Sequence, residues 1–454
     1  MDLKPLFEPR TMAVFGVSGS NDRHPANEIF NKNLLRYPVR VYGVNPRGGT
    51  INGEAICRNI SELPDPIDMA VIAVRADIVP EVMEQCIGAK ARSAVVISGG
   101  FTEVGRADLQ ERLVAIAREG DFPFVGPNCL GIYVPTRLDT FFLPGERMVN
   151  PVVGNVSFVS QSGGILVDQM IKFSNEGVGL AKAISIGNKA LLGELDLLDY
   201  FAADAATKVI AFYIEGFGEN EGRQFVIKAK KCGKPVVVLK SGKSPGGGRA
   251  VSSHTASLAG DYASFSAVLS QYNIVEAANE LEFISFCESL STYAKPIEGR
   301  VGIVTVSGGH GAVAVDACAA RGLRVPELPE ELREELRKRL SPSVQEIAAL
   351  ANPVDLTGSG IDEDFVATVK TFCSMDNIDC VLALLLPYVP GITSDLGARL
   401  GGIARQCGVP MIAYVPNVEK YAMLIEGFTL NGSPVAHSIE GAVLMVDALR
   451  RNRQ

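Results

Sequence analysis

Short, nearly unbroken apolar runs alternate along this chain with longer stretches of helical period, and glycine and proline punctuate the junctions. That alternation predicts repeated strand–helix–strand units and therefore parallel sheets. The first stretch predicts strands at Ala13–Val17, Val41–Val44, Met69–Val74 and Ala94–Ile97, with helices at Val79–Ala89 and Ala107–Arg118. The pattern restarts after Pro144–Pro151 with strands at Asn155–Val159, Val209–Ile214 and Pro235–Leu239, and closes near the Ala294–Pro296 turn. It restarts once more at Val301–Val306, followed by Cys380–Leu386 and Pro410–Tyr414. Runs such as Val381-Leu382-Ala383-Leu384-Leu385-Leu386 suit sheets covered by helices on both faces. The expected fold is α/β, with three consecutive doubly wound domains at 1–146, 150–296 and 298–454.

Composition narrows the function classes. The 454 residues are 47% hydrophobic and 21% charged, a globular balance that excludes disorder. Mean hydropathy is slightly positive at +0.18, yet no stretch approaches the ~18 to 20 unbroken apolar residues of a membrane span. The opening Met-Asp-Leu-Lys-Pro-Leu-Phe-Glu-Pro-Arg has no apolar leader core, so a cytoplasmic location is expected. Nine cysteines stand singly, with no Cys-x-x-Cys pair, which favours reduced thiols over a disulfide frame or a structural metal. A net charge of −8 gives no general attraction to nucleic acid. Any anion must be held by local groups.

Two segments, Gly154–Val167 and Gly299–Val313, share the order strand, Ser-Gly-Gly, helix. Such a turn aims backbone N–H groups and the positive end of a helix dipole at one point, where an anion can sit. At 160–164 the polar Ser160, Gln161 and Ser162 precede Gly163 and Gly164 and add donors; at 307–309 glycine serves equally well as turn chemistry. The turn after the first strand, Gly16-Val17-Ser18-Gly19, lacks the full spacing of a dinucleotide fingerprint. The second strand ends in Asn45-Pro46-Arg47, where an NAD site would carry an acid on the ribose. A cation there suits a phosphorylated ribose, as in NADP or coenzyme A. Gly126-Pro127-Asn128-Cys129-Leu130-Gly131 also follows a strand; with no histidine near it in sequence, Cys129 fits a packing or backbone role better than a nucleophilic one.

There are only four histidines: His24, His254, His310 and His437. His254 lies among hydroxyl residues after Gly246-Gly247-Gly248, and is poor core material and a plausible nucleophile; three glycines predict a flexible loop able to carry a group. Glu215 ends an apolar strand of the same domain, as either a solvated carboxylate or one that fixes the tautomer of an attacking imidazole. His24 is expected near the first ligand and His437 beside a helix; His310 has no evident role. Gly242-Lys243-Ser244 imitates the tail of a P-loop, but Val237 stands where the first glycine belongs.

In order along the chain, VNPR (44–47), GPNCLG (126–131), SQSGG (160–164), GNKALLGELDLLDYF (187–201), YIEG (213–216), SHTASLAG (253–260) and NPVDLTG (352–358) together resemble the α-subunit type of nucleoside-diphosphate-forming acyl-CoA synthetases. These include ADP-forming acetate–CoA ligase and are related to succinyl-CoA synthetase. The resemblance spans essentially the whole chain. It implies a Rossmann-like CoA-binding domain followed by two flavodoxin-like domains, and interconversion of acyl-CoA, phosphate and ADP with acid, CoA and ATP through an acyl phosphate and a phosphohistidine. It assigns phosphorylation to His254 and its support to Glu215. CoA falls to Gly16, Ser18, Gly19, Asn45, Pro46, Arg47, Asn128 and Cys129; phosphate falls to Ser160, Gln161, Ser162, Gly163 and Gly164.

The resemblance also implies a separate β subunit with an ATP-grasp module, holding ATP or ADP and Mg2+, in a heterotetramer acting on a small carboxylic acid. No metal is expected on this chain. Ala256 replaces a family glycine, and His310 stands where a small residue or proline is common. Two other readings compete: a noncatalytic CoA or acyl-CoA sensor, which would not need His254, Glu215 and the SQSGG turn, and an NADP-dependent oxidoreductase, for which no acid constellation beside a nicotinamide is visible.

Overall fold

The computed structural model describes residues 1–21, 23–254 and 262–453, without the side chains of 252–254. They form two compact units, Met1–Ala278 and Asn279–Arg453.

The first unit holds two seven-stranded sheets. The first contains β1 (Thr11–Phe15), β2 (Arg40–Val44), β3 (Thr50–Ile51), β4 (Glu54–Cys57), β5 (Met69–Ile72), β6 (Ala94–Val96) and β7 (Phe124–Val125), ordered β3-β4-β2-β1-β5-β6-β7. All neighbours run parallel except the β3–β4 pair. The strand order reverses at β1, and the crevice at the carboxyl ends of β1 and β5 is where such sheets receive ligands.

The second sheet contains β8 (Gly131–Val134), β9 (Leu138–Asp139), β10 (Val153–Ser160), β11 (Leu180–Ser185), β12 (Val209–Ile214), β13 (Val236–Lys240) and β14 (Val275–Ala277), ordered β14-β13-β12-β10-β11-β8-β9. Strands β10 to β14 are parallel, while β8 and β9 form an antiparallel hairpin added at β11. The second sheet thus draws on residues from both sides of the Pro144–Pro151 segment.

That hairpin is tied back to the first sheet's helix Pro25–Arg36. Lys32 Nζ donates to Asp139 Oδ2 at 2.8 Å and to Phe141 O at 2.6 Å, with only 5% and 3% of the two charged side chains exposed. Asn33 completes the joint, donating to Asp139 O and accepting from its N–H. Burial pushes the Asp139 carboxyl up, and Lys32 opposes it. Around this polar knot, Ile29 and Phe30 share an apolar core with Leu138, Ile184 and Phe201, so the two sheets enclose one continuous hydrophobic layer.

The second unit contains a parallel sheet of β15 (Val301–Thr305), β16 (Val354–Asp355), β17 (Cys380–Leu384), β18 (Met411–Tyr414) and β19 (Val435–Ala436), ordered β16-β15-β17-β18-β19. The helix Glu280–Thr292, ahead of the Ala294–Pro296 turn, packs in this unit: Ser289 Oγ donates to Met445 O at 2.8 Å on the helix Ile439–Arg451. His437 precedes that helix, as expected, and its Nδ1 lies 2.9 Å from Val415 O.

The glycine-rich segment before His254 differs from the expected loop, for Pro245–His254 is a helix. Ser244 starts it, accepting from Gly247 N–H at Oγ and from Gly248 N–H at its carbonyl, and Pro245 supplies a fixed φ at the first helical position. A cap and a proline outweigh three glycines locally. Ala256 lies outside the described residues, as does the His254 side chain.

Candidate functional site

β1 runs into a turn that only glycine can begin. Gly16 has φ +98°, and a Cβ there would lie 2.3 Å from Ala73 O. The next residues are fixed by side-chain amides: Ser18 N–H donates to Asn27 Oδ1 and Asn27 Nδ2 returns to Ser18 O, both at 2.8 Å. Gly19 approaches Thr50, whose oxygen would be 2.9 Å from an added Cβ. Asn45 binds this turn to the end of β2, donating from Nδ2 to Val17 O and accepting Arg47 N–H at Oδ1. Its polar atoms are thus committed to the turn. Pro46 and Arg47 are exposed, and among the described residues the Arg47 guanidinium has no ion pair, which leaves a cation open to an anionic ligand.

A cavity of about 960 Å³ opens at the carboxyl ends of β5, β6 and β7 and of β10, β11 and β12. Its walls bring together Asn128 and Cys129 from the first sheet with 161–164 and Glu215 from the second. Gly16, Ser18, Gly19, Asn45, Pro46, Arg47 and Ser160 are not on its walls. His24 connects the two regions: it lines the cavity, and its Cε1 would meet a Cβ on Gly16 at 3.2 Å. Its Nδ1 caps the helix Pro25–Arg36 by accepting from Ala26 N–H at 3.2 Å, and burial lowers its pKa. It therefore presents a neutral imidazole.

The two halves of the cavity meet main chain to main chain. Gly187, after β11, has φ +54°, and a Cβ there would fall 2.3 Å from Asn128 O and 2.4 Å from Pro127 O. Asn188 N–H donates to Pro127 O, and Ala190 N–H to Gly126 O. The Asn188 side chain then reaches Glu103 Oε2 at 2.6 Å and accepts from Asn128 Nδ2 at 3.2 Å. Burial works to raise the Glu103 carboxyl, but hydrogen bonds from Asn188 and from Gly100 and Phe101 N–H hold it below its ordinary value. Cys129 has the packing role expected of it. Its thiol donates to Val96 O at 3.3 Å, and burial pushes it up to about 12, far from a thiolate at neutral pH.

The Ser-Gly-Gly turn after β10 opens the 13-residue helix Gly163–Asn175. Ser162 Oγ caps it by accepting Ile165 N–H at 3.4 Å, and Gly163 and Gly164 sit in the first turn, whose N–H groups have no partner within the helix. Ser160 instead turns inward, donating to Ser162 O at 2.6 Å. Gln161 is buried and spends its amide on protein groups: Oε1 accepts from Glu215 N–H at 2.5 Å and Gly216 N–H at 3.0 Å, and Nε2 donates to Gly216 O at 2.7 Å and to Glu194.

Three charged residues around this strand end were not singled out from the sequence. Lys189 Nζ lies 3.2 Å from both Glu194 oxygens, 3.0 Å from Gly216 O and 3.3 Å from Glu221. Burial drives the Glu194 carboxyl up against the pull of Lys189. On the other side, Lys240 Nζ donates to Glu215 O at 2.6 Å and to Ser241 O. The stretch 187–201 is legible as a motif, but nothing in it marks Lys189 as a partner of Gly216 or Glu194 as a partner of Gln161.

Burial lowers the Lys240 ammonium from 10.5 to about 8, with Glu215 opposing the shift. Between those values the unfolded chain binds more protons than the folded one, so this group makes stability rise with pH across that window. The expected result is a wild-type minus Lys240→Met difference in urea midpoint that grows from pH 8 to pH 10. An identical pH dependence in both proteins would refute the assignment.

Among the described residues, no group of three or more His, Cys, Asp or Glu side chains could hold a metal ion. Nor is any helix there long and apolar enough to cross a membrane.

The chain matches three family models: a CoA binding domain over 10–135, a succinyl-CoA ligase like flavodoxin domain over 153–290, and a Ligase-CoA domain over 301–413. It is 36% identical over 407 residues to the acetate–CoA ligase [ADP-forming] II subunit alpha of Pyrococcus furiosus, covering 88% of this chain and 86% of that one. It is also 36% identical over 390 residues to acetate–CoA ligase [ADP-forming] I of Archaeoglobus fulgidus, covering 85% of this chain but only 55% of that longer protein. The solved structure of the dinucleotide forming acetyl-coenzyme A synthetase 1 of Ca. Korarchaeum cryptofilum, in complex with phosphate and ADP, superposes with a TM-score of 0.88 at 30% identity, over 99% of this chain and 97% of that chain. Three domain matches in order, a fold shared along the whole length and this level of identity place the chain in the family of NDP-forming acyl-CoA synthetases that includes the ADP-forming acetate–CoA ligases.

Proposed function

We propose that this chain is the α subunit of an ADP-forming acyl-CoA synthetase. It interconverts acyl-CoA, phosphate and ADP with a small carboxylic acid, CoA and ATP, and works in the cytoplasm. The observation that carries this reading is the single cavity on which the Asn128–Cys129 turn, the 161–164 turn and Glu215 meet. CoA binds the part formed by 1–146, with Arg47 on the 3′-phosphate and the thiol end directed to the cavity. Residues 150–296 carry the phosphoryl chemistry, and 298–454 serve as an interface domain.

In the direction of ATP synthesis, a phosphate oxygen attacks the thioester carbonyl, the C–S bond breaks, and CoA leaves as the thiol after taking a proton. An imidazole nitrogen of His254 then attacks phosphorus, and the acid leaves as carboxylate with the bridging oxygen. Glu215 holds the other ring nitrogen and fixes the attacking tautomer. The N–H groups of Gly163 and Gly164 meet the phosphoryl charge without a bulk cation. A β subunit with an ATP-grasp module, in a heterotetramer, supplies ADP and Mg2+ and accepts the phosphoryl group as the P–N bond breaks.

Calorimetry on this chain with CoA, dephospho-CoA and NADP tests the first domain without a partner. CoA is expected to bind tighter than dephospho-CoA by ~10- to 100-fold, the worth of a hydrogen-bonded charge, and Arg47→Ala should erase most of that gap. Equal losses for both ligands in Arg47→Ala would show that Arg47 does not read the 3′-phosphate. Preference for NADP would overturn the CoA assignment.

A further inference from the structure

Gln161 was expected to donate to phosphate, but its amide is already fully used. Its oxygen faces two N–H groups, Glu215 and Gly216, and its nitrogen faces two acceptors, Gly216 O and a Glu194 carboxylate oxygen. No other neutral side chain of this size offers two acceptor sites and two donors, so the geometry demands an amide and fixes which way it points. Behind it, Lys189 supplies a second donor to Gly216 O and neutralises Glu194. The residue is 6% exposed and the pair Lys189–Glu194 is 14% and 2% exposed, so water does not replace these bonds when one is lost.

This one side chain joins the exits of β10 and β12. The first exit leads into Gly163 and Gly164, the second ends in Glu215, and both face the same cavity. Building on the proposal that His254 is phosphorylated there, we propose that Gln161 is a positioning residue for phosphoryl transfer: it locks the Glu215 main chain in register with the Gly163–Gly164 N–H groups and does not touch the phosphoryl group itself.

Replacing the amide by a carboxyl tests this. In Gln161→Glu the new side chain, when ionised, offers only acceptors against Gly216 O and the Glu194 carboxylate; when protonated it regains one donor and one carbonyl. Two carboxyls in contact and out of water hold a proton to higher pH than either alone. Gln161→Glu, purified with its ATP-grasp subunit, is expected to take up label from γ-labelled ATP about 100-fold more slowly than wild type at pH 8, with two buried hydrogen bonds gone. Relative to wild type at each pH, the rate should recover by about tenfold or more at pH 6. Adding Glu194→Gln removes the facing carboxylate and should restore about tenfold at pH 8. CoA affinity and the urea midpoint at pH 6 should stay near wild type.

A flat rate ratio across pH, or a near-normal rate at pH 8, overturns the positioning role. So does a loss matched by an equal fall in CoA affinity or in folding at pH 6, since that is damage to the frame. A wild type that takes up no label overturns the phosphohistidine proposal as well, and so separates the two failures.

Discussion

His254→Ala, assembled with the proposed ATP-grasp subunit, takes up no label from γ-labelled ATP and forms no acyl-CoA, while its CoA affinity stays within about twofold of wild type. The split follows from where the groups lie. The residues assigned to CoA stand on the carboxyl ends of the first sheet, and their turns are held by Asn27, Asn45 and Asn188, none of which is on the helix Pro245–His254. Removing the proposed nucleophile deletes the covalent route itself, and Cys129, pushed up to about 12 by burial, offers no thiolate in its place. Labelling, turnover and calorimetry on one preparation check this. Retained turnover with no phosphoenzyme would sink the mechanism; loss of CoA affinity alongside turnover would place His254 in the frame of the cavity instead.

Lys32→Met produces the largest expected loss of stability. The ammonium is the only cation donating to the buried Asp139 carboxylate among the described residues, and it also satisfies Phe141 O. Its removal leaves a carboxylate without its counter-charge at the junction of the two sheets, a situation that costs ~3–5 kcal/mol in comparable buried pairs. Burial already raises the Asp139 carboxyl, and without Lys32 it rises further, so the folded variant binds a proton that the unfolded chain releases. Stability of the variant therefore improves relative to wild type as pH falls, the sign expected when the folded pKa exceeds the unfolded one. Urea melts at pH 7 and pH 5 measure both effects. Adding Asp139→Asn to Lys32→Met should recover part of the loss at pH 7, and no recovery would show that packing, not charge, causes it.

Much of the fold was legible because parallel strands buried on both faces must be apolar. Val209–Ile214 has in the structure the bounds the apolar run predicts, and the other expected strands differ by a residue or two at their ends. β11 is not legible in the sequence because Lys182 interrupts its apolar run; the structure buries that lysine against Asp204 at 2.6 Å, an ion pair no local pattern announces. The place of the β8–β9 hairpin in the second sheet is not legible either, because its partner β11 is far along the chain. At the site, the Ser-Gly-Gly turn and Glu215 carried local signals: glycines before a helix and a carboxylate ending an apolar strand. Lys189, Glu194 and Lys240 carried none, since a charge gains its meaning there only from the carbonyl or carboxylate that folding sets beside it.

The seam at Gly187 also bears on how such an enzyme can change its diet. There the two walls of the cavity are fastened by peptide groups, and Phe142, Leu143 and Val167, which line the same space, contribute no hydrogen bond to the fastening. If the acyl group enters this cavity under the proposed function, substitutions at these three positions reshape the chamber for bulkier or slimmer acids while the seam stays as it is. Appetite and architecture are written in different residues, so one can drift while the other holds.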